Sequence, residues 1–416
     1  MQAQVPPGAG PLAGVRILDL TTVIMGPFAT HILAGLGAEV TKVEPPEGDN
    51  MRHVGPSRHP GMGHIFLHAN QGKRSLVLDL KRPGALEVVH RLAERSDVLI
   101  SNVRPQALQR LGLDDASVRA RNPRIIHVSC CGFDQDGPYA ARPAYDDLIQ
   151  GATGLPWLMQ RSGAGAPAYA PVTLADRVTG LHAVYAVTAA LYARQVSGVG
   201  QAVIVPMFEA MTQFVVGDHL AGLSFDPPVG EAGYARLLTP HRRPYRTLDG
   251  YLCVLIYNDK QWRSFFAATG EGERLANDPR FATHRARSDH IDAVYAEVGR
   301  ILAQRTTAQW QALLDAADVP NMPMHSPADL LHDPHHAATG FIRTVEHPTE
   351  GALRLARQPT RWSATPPPQA LRPAPVLGEH SREVLRELGY DEDAIHALLQ
   401  SGACAEAAAP SRDPSP

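Results

Sequence analysis

The stretch GVRILDLTTVIMGPFATHILAGLGAEVTKVE, residues 14–44, joins two short apolar runs through a helical segment. GVRILDL is rich in branched apolar side chains and predicts a buried strand, and TTVIMGP follows it as a turn. FATHILAGLG predicts a short helix that ends at Gly35 or Gly37, because glycine is favoured at helix C-termini. AEVTKVE then predicts a second strand, which Pro45 and Pro46 terminate. The stretch is therefore expected to form a strand–helix–strand unit.

The same rhythm continues along the chain. Strands are predicted in SLVLDL, DVLISN and RIIHVSCCGF, and helices in PGALEVVHRLAERS and RPQALQRLG. A long helix is expected from Asp176 through Arg194, followed by the strand GQAVIVPM and another helix. Strands that alternate with helices are typical of βαβ units, so the sequence predicts an α/β fold with a mostly parallel sheet.

The composition changes along the second half of the chain. Proline, glycine and charge concentrate after residue 221, and Asp249-Gly250 predicts a hairpin turn. The predicted ranges are a large domain at 11–221, a linker at 222–245, a small α+β domain at 246–325, a linker and return to the large domain at 326–402, and a disordered tail at 403–416.

Charge and cysteine usage exclude several classes of protein. The 416 residues carry a net charge of −3, so no basic face for nucleic acid is expected. The four cysteines form no CxxC spacing, which favours a reducing cytoplasm. No run of 18 apolar residues occurs and the first residues have no apolar signal region, so neither membrane spanning nor secretion is expected.

Several motifs are weak evidence for a bound group. A dinucleotide site needs a glycine-rich first turn, and TTVIMGPFAT offers only Gly26. His64 and His68 stand four residues apart, and a second histidine group lies in HDPHH, but neither offers the three or four convergent ligands that zinc needs. The histidines of HDPHH are His332, His335 and His336. No metal site is predicted.

Lys73, Arg74 and Lys81 bracket a predicted strand, a position that suits phosphate or nucleotide.

Asp176 stands just before the long predicted helix, in PVTLADRVTG. A carboxylate at that place can cap the helix by accepting backbone N–H groups. The same place also suits a reactive carboxylate, since the helix start stabilises adjacent negative charge. Taken alone, the pattern favours the cap.

Seven motifs in order resemble the family III CoA-transferases, the group that includes formyl-CoA transferase, carnitine CoA-transferase and the α-methylacyl-CoA racemases. The resemblance implies a Rossmann-like large domain, a smaller α+β domain and an interlocked homodimer. The motifs are PLAGVRILDLT…GP, LGAEVTKVEPPEGD, NQGKRSLVLDLK, SDVLISNVRPQALQRLGL, NPRIIHVSCCGF…GPYA, YD before GATGL, and LGEHSREVLRELGY.

The resemblance also implies the chemistry. Asp176 matches the family's nucleophile, which attacks an acyl-CoA thioester and passes through an aspartyl anhydride and an aspartyl-CoA thioester. The substrates are then an acyl-CoA and a small carboxylic acid, with no tightly bound cofactor. The residues that match CoA contacts or the aromatic position near the thioester are Val23, Met25, Leu78, Lys81, Asn102, Val103, Arg110, Leu111, Tyr145 and Met207.

The chain also departs from the family pattern. Ile24 replaces a glutamine that positions the acyl group in the formyl-CoA enzymes, and Pro45 replaces a CoA-contacting arginine. LLTPHRRPYRTLDG occupies the region of their glycine-rich loop, so oxalate is not the expected acceptor. The basic cluster at residues 241–243 is instead expected to bind the second carboxylate of a dicarboxylate such as succinate or glutarate. Its members are His241, Arg242 and Arg243.

Two other functions remain as alternatives. A racemase would need a histidine immediately before the aspartate of YD, where this chain has Tyr145. A phenol with a reference pKa of about 10 is a poor base at neutral pH, so transfer is favoured over racemisation. A non-catalytic nucleotide-binding protein is the alternative from another class.

Overall fold

The central element is a seven-stranded sheet in the order β12-β3-β2-β1-β4-β5-β6. The computed structural model describes residues 9–273 and 277–407. Every strand pair of this sheet is parallel except β12 with β3, which confirms the predicted parallel sheet. Its strands are β1 (Arg16–Leu20), β2 (Glu39–Glu44), β3 (Lys73–Leu78), β4 (Val98–Ser101), β5 (Ile126–Cys131), β6 (Ala202–Pro206) and β12 (Cys404–Ala405).

Two smaller sheets are antiparallel, and helices surround all three. The smaller sheets are β7 (Tyr245–Arg246), β8 (Tyr251–Val254) and β9 (Asn321–Pro323), and the pair β10 (Ile342–His347) and β11 (Gly351–Ala356). The helices are α1 (Met25–Gly35), α2 (His64–Ala69), α3 (Ala85–Glu94), α4 (Pro105–Arg110), α5 (Asp115–Arg121), α6 (Asp146–Ala152), α7 (Leu155–Met159), α8 (Leu174–Ser197), α9 (Met207–His219), α10 (Ala235–Leu238), α11 (Asp259–Thr269), α12 (His284–Asp289), α13 (Ile291–Leu302), α14 (Thr307–Ala316), α15 (Pro334–Thr339), α16 (Ser381–Glu387) and α17 (Glu392–Gln400). None of the described helices has the length and apolarity to span a membrane.

The strand order places a ligand site. The run β3-β2-β1-β4-β5-β6 is the order of doubly wound dinucleotide-binding folds. In such sheets, ligands bind beyond the carboxyl ends of the strands, where the order reverses. The reversal lies between β1 and β4, so Thr21–Val23 and the residues after Ser101 border that place.

Helices on the two faces of the sheet build the core. On one face, α3, α16 and α17 pack Val88, Leu385 and Ile395 against fully buried strand residues such as Leu18 and Leu99. On the other face lie α1 and α8. A Cβ at residue 180 would lie 2.9 Å from the carbonyl oxygen of residue 25, so a glycine is needed where α8 meets the start of α1. This contact brings the second turn of α8 against the start of α1.

The chain divides into two compact units whose boundaries differ from the predicted ranges. The first unit contains the described residues up to Ile149, Val172–Thr212 and the described residues from Ala338 onward. The second contains Gln150–Pro171 and Gln213–Ala337, and aromatic residues such as Trp262, Phe265 and Trp310 fill its core. The second unit therefore includes a segment at 150–171 that was predicted to belong to the large domain.

Three local predictions need correction. The predicted linker at 222–245 contains α10 and the first residue of β7, because Tyr245 is buried in the second core. The predicted tail begins with β12, which pairs with β3 and buries the Cys404 side chain. The rest of that tail from residue 408 lies outside the described residues. Helix α1 begins at Met25, earlier than predicted, and Gly37 follows its end with φ 101°.

Candidate active site

Asp176 lies inside the first turn of α8, as its third residue. The N-cap is Thr173, and its side chain makes no capping hydrogen bond. The prediction that Asp176 caps the helix is therefore wrong. The Asp176 backbone N–H donates to Asp146 Oδ1 at 2.9 Å, so a carboxylate from 30 residues earlier satisfies this helix start.

Burial makes the Asp176 carboxyl group unusually basic. The residue is 8% exposed, and burial raises its pKa from 3.8 to about 7, with the charge of Asp146 adding to the increase. The nearby Arg177 guanidinium acts in the opposite direction. Removing an anion from water disfavours the charged form, as does a like charge close by. A carboxylate in this setting is a better nucleophile than one in water.

A cavity of about 350 Å³ opens at the carboxyl ends of the strands and includes Asp176 in its wall. The turns after β1, β4 and β5 and the start of α9 form the rest of the wall. This is the place that the strand order indicates. The structure brings together seven residues singled out from the sequence: Val23, Met25, Asn102, Val103, Tyr145, Asp176 and Met207.

A second cavity, of about 330 Å³, meets the first at Thr22 and Val103. Its wall contains three more of the predicted contacts, namely Leu78, Lys81 and Leu111, together with Pro45. The two cavities share Thr22 and Val103 as wall residues, and the Lys81 ammonium belongs to the second one. Arg110, by contrast, is exposed at the end of α4 and lines neither cavity.

The turn after β1 is strained and is held by two side chains. Val23 has φ 72°, a left-handed conformation that β-branched residues rarely adopt. Its N–H donates to Asp49 Oδ1 at 3.1 Å. The Asn102 amide accepts from the Thr22 N–H at 3.0 Å and donates to the Thr22 carbonyl at 2.8 Å. Asn102 therefore positions the turn with the amide that was predicted to contact CoA.

Two buried ion pairs stabilise the region around the same turn. Lys42 Nζ donates to Asp49 Oδ2 at 2.9 Å and to the Thr21 carbonyl at 2.6 Å. Lys73 Nζ donates to Asp19 Oδ2 at 3.2 Å and is fully buried. Ion pairs of this kind are retained when each charge has good partners.

These pairs correct the suggestion that Lys73 and Arg74 bind phosphate. Lys73 is fully buried and pairs with Asp19, and Arg74 pairs with Glu387 at 2.7 Å. Both residues lie at the amino end of β3, whereas Lys81 follows its carboxyl end. Lys81 alone of the three lines a cavity at the ligand-binding edge.

Asp146 is the functional residue that sequence reasoning missed. It is 9% exposed and begins α6, directly after Tyr145. The YD motif predicts a role for Tyr145 and none for Asp146. A signal was present, since an aspartate in a helix first turn is a frequent hydrogen-bond acceptor. Its partner lies 30 residues away, and no local pattern indicates that distance.

A competing nucleophile in the cavity wall is the Cys131 thiol. Burial raises its pKa to about 11, and Sγ donates to the Phe133 carbonyl at 3.2 Å. The thiolate is the reactive form, so Cys131 is a weak nucleophile at neutral pH. Among the described residues, no group of three histidine, cysteine or acidic side chains could hold a metal ion.

The predicted basic cluster belongs to the second unit. Arg242 and Arg243 line a cavity of about 150 Å³ there. His241 and Arg243 line a neighbouring cavity of about 650 Å³. Neither wall contains a residue of the Asp176 cavity.

Relatives of known activity match nearly the whole chain. A succinate–glutarate CoA-transferase from Agrobacterium fabrum is 36% identical over 395 residues, which cover 91% of this chain and 96% of the relative. A succinyl-CoA–D-citramalate CoA-transferase from Chloroflexus aurantiacus is 33% identical, with 96% and 99% covered.

Solved structures and a family model agree with those relatives. A CAIB/BAIF family protein from Brucella suis superposes with a TM-score of 0.77 at 32% identity, covering 91% of this chain and all of that one. Rv3272 from M. tuberculosis also gives 0.77, at 30% identity, with 90% and 99% covered. The model described as CoA-transferase family III matches residues 12–381. The chain therefore belongs to the family III CoA-transferases.

Proposed function

We propose that this protein moves CoA from an acyl-CoA thioester to a free dicarboxylic acid, with Asp176 as the covalent carrier. The observation that carries the proposal is the Asp176 carboxyl group, buried in the wall of a cavity that shares Thr22 and Val103 with a second cavity lined by Lys81. CoA is long and ends in phosphates, so we assign its pantetheine arm to these neighbouring cavities and a phosphate to the Lys81 ammonium. The catalytic carboxylate then meets the thioester end.

The proposed reaction proceeds through covalent intermediates on Asp176 that are either mixed anhydrides or a CoA thioester. Asp176 Oδ attacks the thioester carbonyl, the C–S bond breaks, and a mixed anhydride and CoA thiolate form. The thiolate attacks the aspartyl carbonyl and releases the first acid, which leaves an aspartyl-CoA thioester. The incoming carboxylate attacks that thioester, which forms a second mixed anhydride and releases the CoA thiolate. The thiolate attacks the carbonyl of the new acyl group, and the Asp176 carboxylate leaves. Each step exchanges one acyl bond for another of similar energy, so the thioester's free energy is conserved.

Asp146 has a positioning role in this scheme. Its carboxylate holds the Asp176 N–H and fixes the first turn of α8. Its negative charge also destabilises the Asp176 anion and favours loss of that charge on acylation. Asp146 therefore affects both the geometry and the reactivity of Asp176.

A dicarboxylate is proposed as the acid for two reasons. The relatives described above are named for succinate, glutarate and citramalate, all of which carry two carboxylates. The basic cluster at residues 241–243 also offers two guanidinium groups, those of Arg242 and Arg243, of the kind that pairs with a carboxylate. Bidentate pairing with arginine is the strongest common way to recognise a carboxylate.

A homodimer is part of the proposal. One face of α8 carries the large apolar side chains Leu181, Tyr185, Tyr192 and Val196, each more than half exposed. Contiguous apolar surface of this kind marks a protein interface. A second copy of this chain is the proposed partner.

We also propose a cytoplasmic location, which the four free cysteine thiols support.

The test is an assay of succinyl-CoA with added glutarate, following glutaryl-CoA by chromatography. Asp176→Asn should lose at least about 10⁴-fold in kcat, since it removes the nucleophile. Asp147→Asn, which changes the exposed neighbour of Asp146, is the matched control and should keep activity. Deuterium incorporation at the acyl α-carbon without transfer to any acid would instead support the racemase.

A further inference from the structure

A small cavity of the second unit has a positive rim and an apolar floor. Three arginines line it, and its volume is about 150 Å³. The floor includes Val254, Ile256 and the Trp262 ring. A cavity of this size accommodates a small organic anion rather than a nucleotide. The arginines are Arg236, Arg242 and Arg243.

No acid of the described residues neutralises this rim. The wall of the cavity contains no aspartate or glutamate. Other arginines of the same unit are paired: Arg280 with Asp278 at 2.6 Å, and Arg300 with Glu297 at 2.9 Å. An arginine cluster around an acid-free cavity raises the local concentration of anions.

Tyrosines orient the first of these arginines without removing its charge. Arg236 Nε donates to the Tyr295 hydroxyl at 3.0 Å, and Tyr234 forms a second hydrogen bond with the guanidinium. Tyr295 and Tyr245 are each 8% exposed, so the support is rigid. Neutral hydroxyls hold the planar group in place and leave its positive charge for a ligand. Arg236 was not singled out from the sequence.

We propose that this arginine pocket, formed by Arg236, Arg242, Arg243 and Tyr295, binds the carboxylate of a small aliphatic acid. The planar guanidinium matches a carboxylate, and the apolar floor suits the methylene chain that follows it. Naming that acid as the free dicarboxylate substrate rests on the proposed CoA transfer. Arg236 is the anchor of the pocket, because it is the arginine whose guanidinium the tyrosines hold.

Binding is tested by titrating glutarate calorimetrically into full-length Asp176→Asn protein, which cannot turn over. Adding Arg236→Met should weaken glutarate binding about 10- to 100-fold, the usual loss for a hydrogen-bonded charge. Tyr295→Phe keeps the ring and removes the hydroxyl, so it should weaken binding even if the Arg236 variant fails to fold. Arg285→Met, whose parent side chain is 91% exposed, is the control and should bind normally.

Inorganic phosphate is titrated in the same way, to test whether the pocket prefers a carboxylate. Phosphate that binds as tightly as glutarate and is lost in Arg236→Met would overturn the assignment to a carboxylate. Unchanged glutarate binding in both the Arg236 and Tyr295 variants would overturn the pocket itself.

Steady-state kinetics connect the pocket to turnover. In the active enzyme, Arg236→Met should raise the KM for glutarate about 10-fold or more and leave the KM for succinyl-CoA within about twofold. An unchanged KM for glutarate would contradict the inference while CoA transfer stood. An enzyme that transferred CoA to no acid would refute the proposed function, and the titration would still report on the pocket.

Discussion

At the scale of single residues, the two buried carboxyl groups of Asp176 and Asp146 determine how the protein should respond to pH. In the proposed mechanism only the ionised Asp176 attacks, and burial raises its pKa to about 7. A raised pKa means that activity is low below this value and gained as pH rises through it. We expect kcat/KM for acyl-CoA to increase about tenfold per unit below pH 7 and to level off above it.

The negative charge of Asp146 can be removed without changing the shape of its side chain. In Asp146→Asn, the amide oxygen can still accept the Asp176 N–H, but the negative charge is gone. The midpoint of the kcat/KM profile should then move to lower pH, since a like charge no longer opposes ionisation. A midpoint that stays where it is in this variant would show that burial alone sets the pKa.

Val23 offers a test of strain at the site. Asparagine accepts the left-handed conformation far better than valine, so Val23→Asn should stabilise the protein by about 1 kcal/mol. The same change removes apolar contact in the cavity and should raise the KM for acyl-CoA several-fold. Val23→Ala removes the same apolar contact but lacks the side-chain amide that favours asparagine at positive φ, so it should not stabilise. Thermal unfolding of the wild type, Val23→Asn and Val23→Ala measures these differences in stability.

The local pattern around Asp176 could not identify its role. An acid before a helix predicts a cap, and the cap hypothesis was wrong because Asp146, from a separate segment, takes the hydrogen bond. The assignment of Asp176 as the nucleophile rests on the resemblance of the whole chain to a family. Backbone strain at Val23 and the use of the Asn102 amide likewise depend on contacts with Asp49 and Thr22 that are distant in sequence.

At the scale of secondary structure, long periodic segments were predictable and short ones were not. Strands β1 to β6 follow from apolar runs between helices, since burial on both faces leaves a clear signal. The two-residue strand β12 leaves none, and alanine-rich composition at the chain's end predicted disorder instead. Its formation depends on the open edge of β3 and on Ser381, whose Oγ donates to the Ala405 carbonyl at 2.6 Å.

That short strand should matter for stability. Ending the chain after Gly402 removes the pairing with β3 and the buried Cys404, so we expect a loss of about 2 kcal/mol or more in the free energy of unfolding. A chain that ends after Ala407 keeps every described residue of this region and is the matched control. Equal urea midpoints for the two chains would mean that β12 contributes nothing.

At the scale of the whole molecule, sequence reasoning identified two compact units but placed their boundary incorrectly. Segment 150–171 belongs to the second unit, although it interrupts the connection between β5 and β6. Its composition resembles that of the flanking large-domain segments, so nothing local distinguishes it. Only the contacts it makes in the folded chain reveal the assignment.

The exposed face of α8 predicts self-association. Tyr192 and Val196 are each about three-quarters exposed, so Tyr192→Glu combined with Val196→Glu should convert a dimer to monomers. A charge placed at an apolar interface is costly because it must be desolvated. Val54→Glu changes an exposed valine on a separate loop and should leave the dimer intact. Sedimentation velocity reports the mass directly, and a wild-type monomer would contradict the proposal.

The central claim is that Asp176 becomes covalently acylated during turnover. The most direct measurement is peptide mass spectrometry after mixing the enzyme with succinyl-CoA and quenching with hydroxylamine, which converts an aspartyl anhydride or thioester into a hydroxamate. We predict the hydroxamate on the peptide that contains Asp176, and no modification in Asp176→Asn. Turnover with an unmodified Asp176, or with the label on another side chain such as Cys131, would contradict the account.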